Sequence, residues 1–340
     1  MTISRRGLLG GALAGVGAGV LSACAPTPSS TPTPGASLSS SAAARTSLTI
    51  GMTYIPNIQF SPLYVARDQG IFADHGLDVT LRHHGQQEDA FGAVTAGQED
   101  VVLASSDEAV VAAANGSSLA TFATCYQRFP AEVMTTLPLP EQPLDVLKGI
   151  KLGIPGHFGS NYYAALCALH LSGLTEQEVT LTDVGYTQVT ALTTGNVEAI
   201  VGYRNNELVQ FQAQGIEVST VPVSDPAAPS LVGPGLVTVR DRLSVDVLRA
   251  VRDAVLAAEI AIAENPALAM EATEKEVPTL SEPEQRAAAE AVLAETIELW
   301  KGDQDTPHAE IDEAAFERMG QLLTDVGIID APPSNTLLSL

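Results

Sequence analysis

Strand-like and helix-like segments alternate along this chain from Leu48 to Ala213, and that rhythm restricts the possible folds more than any other feature. Leu48–Met52, Leu77–Leu81, Asp100–Ala104 and Leu119–Tyr126 read as strands. Between them, Pro62–Gly70, Glu88–Ala96 and Asp107–Ala114 read as helices, the first closed by Gly70 and the second by Gly97. The rhythm resumes with strands at Ile150–Ile154, Val179–Val184 and Glu198–Gly202, interleaved with helices over Tyr162–Leu171, Val189–Thr194 and Leu208–Ala213. Strands separated by helices of this length imply parallel sheets with both faces covered. Two such runs, flanked by proline-bearing passages near 137–143 and 222–234, suggest an α/β chain of two lobes. A length of 340 residues agrees, because it exceeds what one ordinary core organises.

After Leu236 the pattern turns helical. Ser244 is placed to cap a helix whose Val247, Leu248, Val251, Val255 and Ile262 share one face, stopping at Asn265-Pro266. Ser281 and Glu284 have capping-box spacing ahead of Ala287–Trp300. Asp312 caps a last helix, with Ile311 and Phe316 at staple spacing and Gly327 past its end. Trp300 reads as a core or interface residue rather than a ligand platform.

The first 23 residues read as an export signal. Arg5-Arg6 precede a Gly- and Ala-rich apolar stretch, residues 7–23, that is too short and weak for a membrane span. The twin arginine leaves both a Tat and a Sec route open. The stretch ends in Leu21-Ser22-Ala23-Cys24, which resembles a bacterial lipoprotein cleavage site with Cys24 as the lipidated residue. The Pro-, Ser- and Thr-rich segment from there to residue 47 reads as a tether. Forty acidic against 17 basic residues, a net charge of −23, argues against nucleic acid as a partner.

Catalytic motifs are missing: there is no phosphate-binding Walker loop, no G-x-S-x-G elbow and no H-E-x-x-H. His83 and His84 are adjacent on a strand and point to opposite faces, so they read as a solvated strand end rather than a metal site. Cys125 and Cys167 read as two buried thiols, with a bridge left open. The stretch from Gly153 to Ser160 joins a strand to a helix through three glycines, with Ser160 or Asn161 as cap, so its N–H groups are placed to receive a polar or anionic ligand atom. Tyr54, Phe60, Tyr126, Phe129, Phe158, Tyr186 and Tyr203 fall just after strands. Connections there line the open end of an α/β sheet, and about half of these rings are expected to line a cleft and stack on a flat ligand.

Tyr54-Ile55-Pro56-Asn57-Ile58-Gln59-Phe60-Ser61-Pro62-Leu63-Tyr64-Val65-Ala66, with Gly70-Ile71-Phe72 and Gly76-Leu77-Asp78-Val79, resembles ABC-importer solute-binding proteins. The branch is that of SsuA-like sulfonate and nitrate binders, thiamine-pyrimidine-precursor binders and the yeast thiamine-pyrimidine synthase. Ala96 to Asp100, Gly153 to Gly159 and Leu192 to Ala199 extend the resemblance in order over about 48–240. It implies the type II periplasmic-binding fold: two α/β lobes with a ligand cleft between them and C-terminal helices. Lobe 1 is then 48–136 plus 225–340, and lobe 2 is 137–224.

The resemblance also implies a lipid-anchored, monomeric receptor on the outer face of the cytoplasmic membrane, serving an ABC permease and its ATPase, with no cofactor and no metal. The first-loop aspartate and histidine of the thiamine-precursor binders are replaced here by Thr53 and Phe60, while the ring residue Tyr54 remains. With Tyr126-Gln127-Arg128-Phe129-Pro130 and Tyr203 to Glu207, the pattern is closer to relatives linked to riboflavin or thiamine-precursor uptake. The expected ligand is thus a small flat nitrogen heterocycle. The expected contacts are Tyr54, Asn57, Phe60, Ser106, Asp107, Tyr126, Phe158, Gly159, Ser160, Tyr186, Tyr203, Asn206 and Glu207. A nitrate or taurine-like sulfonate is the alternative. An enzyme of the yeast synthase type is disfavoured, since Ala104 and Glu108 stand where that enzyme carries its lysine and histidine.

Overall fold

The computed structural model describes residues 45–85, 88–225 and 227–340. The export signal, Cys24 and the tether up to residue 44 lie outside the described residues. In chain order the described strands are β1 (Thr46–Met52), β2 (Leu77–His83), β3 (Val101–Ser105), β4 (Leu119–Thr124), β5 (Ala131–Thr135), β6 (Lys151–Ile154), β7 (Thr180–Asp183), β8 (Ala199–Tyr203), β9 (Ser219–Pro222) and β10 (Pro234–Val239). They form two five-stranded sheets with the same plan, β2-β1-β3-β10-β4 and β7-β6-β8-β5-β9.

The sheets are mixed rather than all parallel. β10 runs antiparallel to β3 and β4, and β5 antiparallel to β8 and β9. Both antiparallel strands follow a passage from one sheet to the other, 125–130 before β5 and 223–233 before β10. No helix precedes them, so neither is bound by the right-handed crossover that keeps βαβ strands parallel. The expected boundary at 136/137 therefore moves: Ala131–Thr135 already belongs to the second sheet, flanked by β8 and β9 on either side.

The helices are α1 (Ser61–Asp68), α2 (Ile71–Asp74), α3 (Gly92–Thr95) and α4 (Ser106–Ala114) in lobe 1, then α5 (Gly159–Ser172), α6 (Gln188–Thr193) and α7 (Val209–Ala213) in lobe 2. α8 (Val245–Glu264), α9 (Ala267–Glu276), α10 (Pro283–Lys301) and α11 (Glu313–Asp325) follow β10. α3 is shorter than the expected 88–96, because Asp89 Oδ1 accepts the N–H of Phe91 and holds that stretch in a turn.

Strand alternation distributes the core. On β3, Val101 and Leu103 face α1 and the C-terminal helices, while Val102 and Ala104 face Phe91, Val94 and Ala109. On β8, Ala199 and Val201 face α5, and Ile200 faces Val189, Leu192 and Phe211. The α8 stripe is as patterned, with Leu248, Val251, Val255 and Ile262 buried and Ser244 Oγ accepting the Val247 N–H. Trp300 is 1% exposed within the lobe 1 core. Such a site costs about 3–5 kcal/mol when truncated to alanine.

Two C-terminal expectations change. Ser281 does not cap α10: its hydroxyl donates to the Pro278 carbonyl, and α10 starts on Pro283. α11, capped by Asp312 as expected, buries Phe316, Met319 and Leu323 in the lobe 2 core rather than returning to lobe 1. Cys125 lies in the lobe 1 core and Cys167 in that of lobe 2, as free thiols. Among the described residues no helix is long and apolar enough to cross a membrane.

Candidate functional site

The carboxyl ends of β1, β3, β6, β7 and β8 converge on one cleft between the sheets, a cavity of about 580 Å³. This is where parallel α/β strands place their variable connections. Tyr54 follows β1, Phe158 follows β6, Tyr186 follows β7 and Tyr203 ends β8. All four line the cleft, together with Phe60 and Tyr126. Phe129, the seventh strand-end ring, instead packs on the lobe 2 core and lines a different cavity.

The first loop is fixed from behind by His83. Its Nδ1 lies 2.9 Å from the Tyr54 carbonyl, an acceptor, so Nδ1 carries the proton. Nε2 then accepts from the Tyr64 hydroxyl at 2.8 Å. The Phe60 ring meets the imidazole edge-on, centroids 5.5 Å apart. Burial lowers the His83 pKa, which keeps the ring neutral in this role. His83 is thus a positioning residue rather than a solvated strand end. His84, 2% exposed, pairs with fully buried Glu99 at 2.9 Å. Asn57 lines the cleft while its Oδ1 caps the turn Ile58–Phe60 through the Gln59 N–H.

The cleft floor joins the lobes. Ser160 Oγ, at the start of α5, donates to Asp107 Oδ1 of α4 at 2.7 Å, and the Glu108 N–H donates to the same oxygen. Burial raises the pKa of the Tyr203 hydroxyl, and Ser160 and Ser105 offset part of that rise. Nearer the hinge, Gln59 donates to the Asn205 carbonyl, and Asn205 Nδ2 donates to the Tyr126 hydroxyl and to Thr296.

Neither Ser106 nor Asp107 lies on the cleft wall, contrary to expectation; both are fully buried beneath it. α4 begins at Ser106, and its first turn rotates 106 and 107 inward and carries Glu108 to the wall. Glu108 is therefore the wall carboxyl that the sequence reading left out. Burial, then the neighbouring Asp107 charge, pushes its pKa up to about 8. Burial pushes Asp107 upward as well.

Glu207 does reach the wall from the kinked turn Arg204–Leu208, where its Oε2 accepts the Tyr203 N–H and its Oε1 the Asn206 side chain. Burial raises its pKa despite those bonds.

Two glycines make this packing possible. Gly156 leaves room for the Phe158 ring, whose nearest atom would sit 2.4 Å from a Cβ there. Gly159 has φ +69°, and a Cβ on it would lie 2.7 Å from Glu108 Oε1 across the cleft. The same glycine starts α5, so neither Ser160 nor Asn161 caps it; Asn161 donates to the Val201 carbonyl instead. On the lobe 2 wall, Phe158 and Tyr186 remain 59% and 62% exposed. Gln188 and Gln210 also line the wall, and no sequence signal marked them.

Residues 57–269 match the family model described as NMT1/THI5 like. The chain is 36% identical over 180 residues to the riboflavin-binding protein RibY of Chloroflexus aurantiacus, covering 52% of this chain and 51% of that protein. It is 26% identical over 172 residues to a formylaminopyrimidine-binding protein of Halalkalibacterium halodurans, covering 49% of this chain and 51% of that one. The chain thus spans about half the length of the curated relatives it matches. Among solved structures, the periplasmic aliphatic sulphonate binding protein SsuA of Escherichia coli superposes with a TM-score of 0.67 at 14% identity. That superposition covers 84% of this chain and 89% of SsuA. The likeness establishes the two-lobed periplasmic-binding fold of type II.

Proposed function

The chain belongs to the NMT1/THI5-like family, and from that membership and the form of its cleft we propose that it is the extracytoplasmic solute-binding component of an ABC importer. Its ligand is a small flat nitrogen heterocycle, riboflavin-like or a thiamine pyrimidine precursor. The observation that carries this reading is the pair of exposed rings on the lobe 2 wall, Phe158 and Tyr186, across from Tyr54 on lobe 1. Exposed aromatic faces on both sides of a closing cleft stack on a planar ring. Glu108, Glu207, Asn206 and Asn57 supply the edge contacts. The named binding partners of both curated relatives, riboflavin and a formylaminopyrimidine, are ligands of this shape.

Bonds across the cleft floor form only when the lobes approach, so the ligand selects the closed arrangement by adding its own contacts to both walls. The closed receptor then docks on its permease, held as a monomer to the membrane through lipid on Cys24. A nitrate or sulfonate ligand is the second reading within this fold. Such an anion needs a donor-rich, cationic pocket, whereas the described cleft wall offers two carboxyls and no lysine or arginine. That wall also has no lysine, histidine or cysteine for the chemistry of a synthase.

A thermal-shift panel on the full chain with riboflavin, an aminopyrimidine, taurine and nitrate tests the reading. Stabilisation by one of the heterocycles alone supports it. Stabilisation by taurine or nitrate alone, or release of a pyrimidine product on incubation with pyridoxal phosphate and iron, overturns it.

A further inference from the structure

After α11 the chain returns to lobe 1. β4 is the outer strand of the lobe 1 sheet, with β10 on one side only. Residues 336–338 pair with its other side. The Thr121 N–H donates to the Thr336 carbonyl at 2.8 Å, and the Leu338 N–H to the Thr121 carbonyl at 3.0 Å. The bridge of Thr121 to Leu337 is parallel. Asn335, at φ +65°, turns the chain onto this edge in a left-handed conformation that asparagine tolerates. The guanidinium of Arg240, just past β10, donates to the Asn335 and Leu337 carbonyls.

The other attachments of this segment lead to lobe 2. Met319 and Leu323 of α11, and Ile329 beyond it, are buried in the lobe 2 core. Pro332 lies against α11 at Gly320, 3.1 Å from where a Cβ there would stand. Ser339 Oγ donates to Glu313 Oε1, at the start of α11, at 3.1 Å. Side chains alternate as on a strand: Leu337 packs on the lobe 2 core, Leu338 and Leu340 on that of lobe 1. From Pro332 to Thr336 the chain reaches at most about 14 Å, so it has little slack to follow one lobe away from the other.

We propose that residues 332–340 form a clasp across the hinge, an added strand on the lobe 1 sheet carried by a helix seated in lobe 2, which limits how far the lobes open. The clasp rests on the lobe closure proposed above, not on the identity of the ligand. Opening rotates the lobes about the passages 125–130 and 223–233, which draws β4 away from α11 unless the strand lets go. The bonds at Thr121 and Arg240 are the end that yields, since the other end is the buried face of α11. A strand that merely covers a sheet edge leaves the distance between the lobes unaffected.

The test is that distance in the ligand-free full chain, read by double electron–electron resonance. Spin labels go on Thr80→Cys of β2 and Thr190→Cys of α6, both exposed, in a Cys24→Ser background; Cys125 and Cys167 are buried. Leu338→Pro removes the donor to Thr121, and Arg240→Ala removes both guanidinium bonds. The distance distribution is expected to shift to longer values in at least one of these variants. Amide exchange at Thr121 should be slow in the native chain and roughly tenfold or more faster in Leu338→Pro. An unchanged distribution in both variants overturns the proposal, as does fast Thr121 exchange in the native chain. Should Leu338→Pro not fold, Arg240→Ala decides alone. Riboflavin or an aminopyrimidine added to the labelled native chain tests closure separately, so failure of the clasp is distinguishable from failure of the cleft reading.

Discussion

Gly159→Ala is expected to weaken ligand binding through the closed state, and its size follows from two separate effects. The first is backbone strain. Gly159 has φ +69°, where a side chain costs about 1–2 kcal/mol. That cost lowers the melting temperature by roughly 2–4 °C per kcal/mol and does not depend on ligand. The second is specific to the cleft. The new Cβ would lie 2.7 Å from Glu108 Oε1, so the carboxyl must turn away and give up its close approach to the start of α5. Glu108 belongs to lobe 1 and Gly159 to lobe 2, so this approach exists only when the lobes are together. Relieving that clash costs about 1–2 kcal/mol of closure, roughly a 5- to 30-fold rise in Kd.

Gly173 provides the control. It closes the same helix at φ +67° with nothing within 4 Å of a Cβ. Gly173→Ala should therefore lower the melting temperature similarly and leave Kd unchanged. Melting curves and calorimetric Kd values for both variants decide the matter. Equal Kd values in the two variants would refute the claim that Gly159 acts through the contact between the lobes.

Tyr186→Ala should leave the melting temperature nearly unchanged, since the ring is 62% exposed, yet raise Kd about tenfold through lost stacking; unchanged affinity would remove Tyr186 from the site. His83→Ala should raise Kd several-fold and lower stability by about 1–2 kcal/mol, because the Tyr54 carbonyl and Tyr64 hydroxyl both lose their partner; a stability loss with unchanged Kd would confine His83 to the core. Burial holds the Glu108 proton to a pKa of about 8, against 4.5 for an ordinary glutamate. The folded protein then binds more protons than the unfolded chain across that window, so stability is greatest at its acid end and falls as pH rises towards 8. Glu108→Gln should flatten the upper part of this decline in a pH series of melting curves, and a native chain that gains stability from pH 6 to 8 would contradict the assignment.

The α/β rhythm was legible because strand alternation and helix caps are local: β1 to β4, α4, α8 and the Asp312 cap follow from neighbouring residues alone. β5 and β10 were not. Each is short, preceded or opened by a proline at 130 or 234, and enters its sheet after a passage between lobes, so it looked like part of a proline-rich linker. Aromatic positions in the cleft were legible for a topological reason, since residues just past parallel strands collect at one edge whatever their contacts. Which polar side chain of a helix reaches the wall was not, because it depends on the residue at which the helix starts. Ser106 starts α4, and that phase exchanges the expected Asp107 for Glu108. His83 was missed because its partners, the Tyr54 carbonyl and Tyr64 hydroxyl, are distant in sequence and unmarked by any spacing.

The ligand proposed for the cleft between the two sheets is a planar nitrogen heterocycle. Calorimetric titration of the full chain with riboflavin, and with an aminopyrimidine, tests it most directly. One of the two is expected to bind at one site per chain, and Phe158→Ala and Tyr186→Ala each to weaken it. Heat from taurine or nitrate and none from either heterocycle, or heterocycle binding indifferent to both ring deletions, would contradict it.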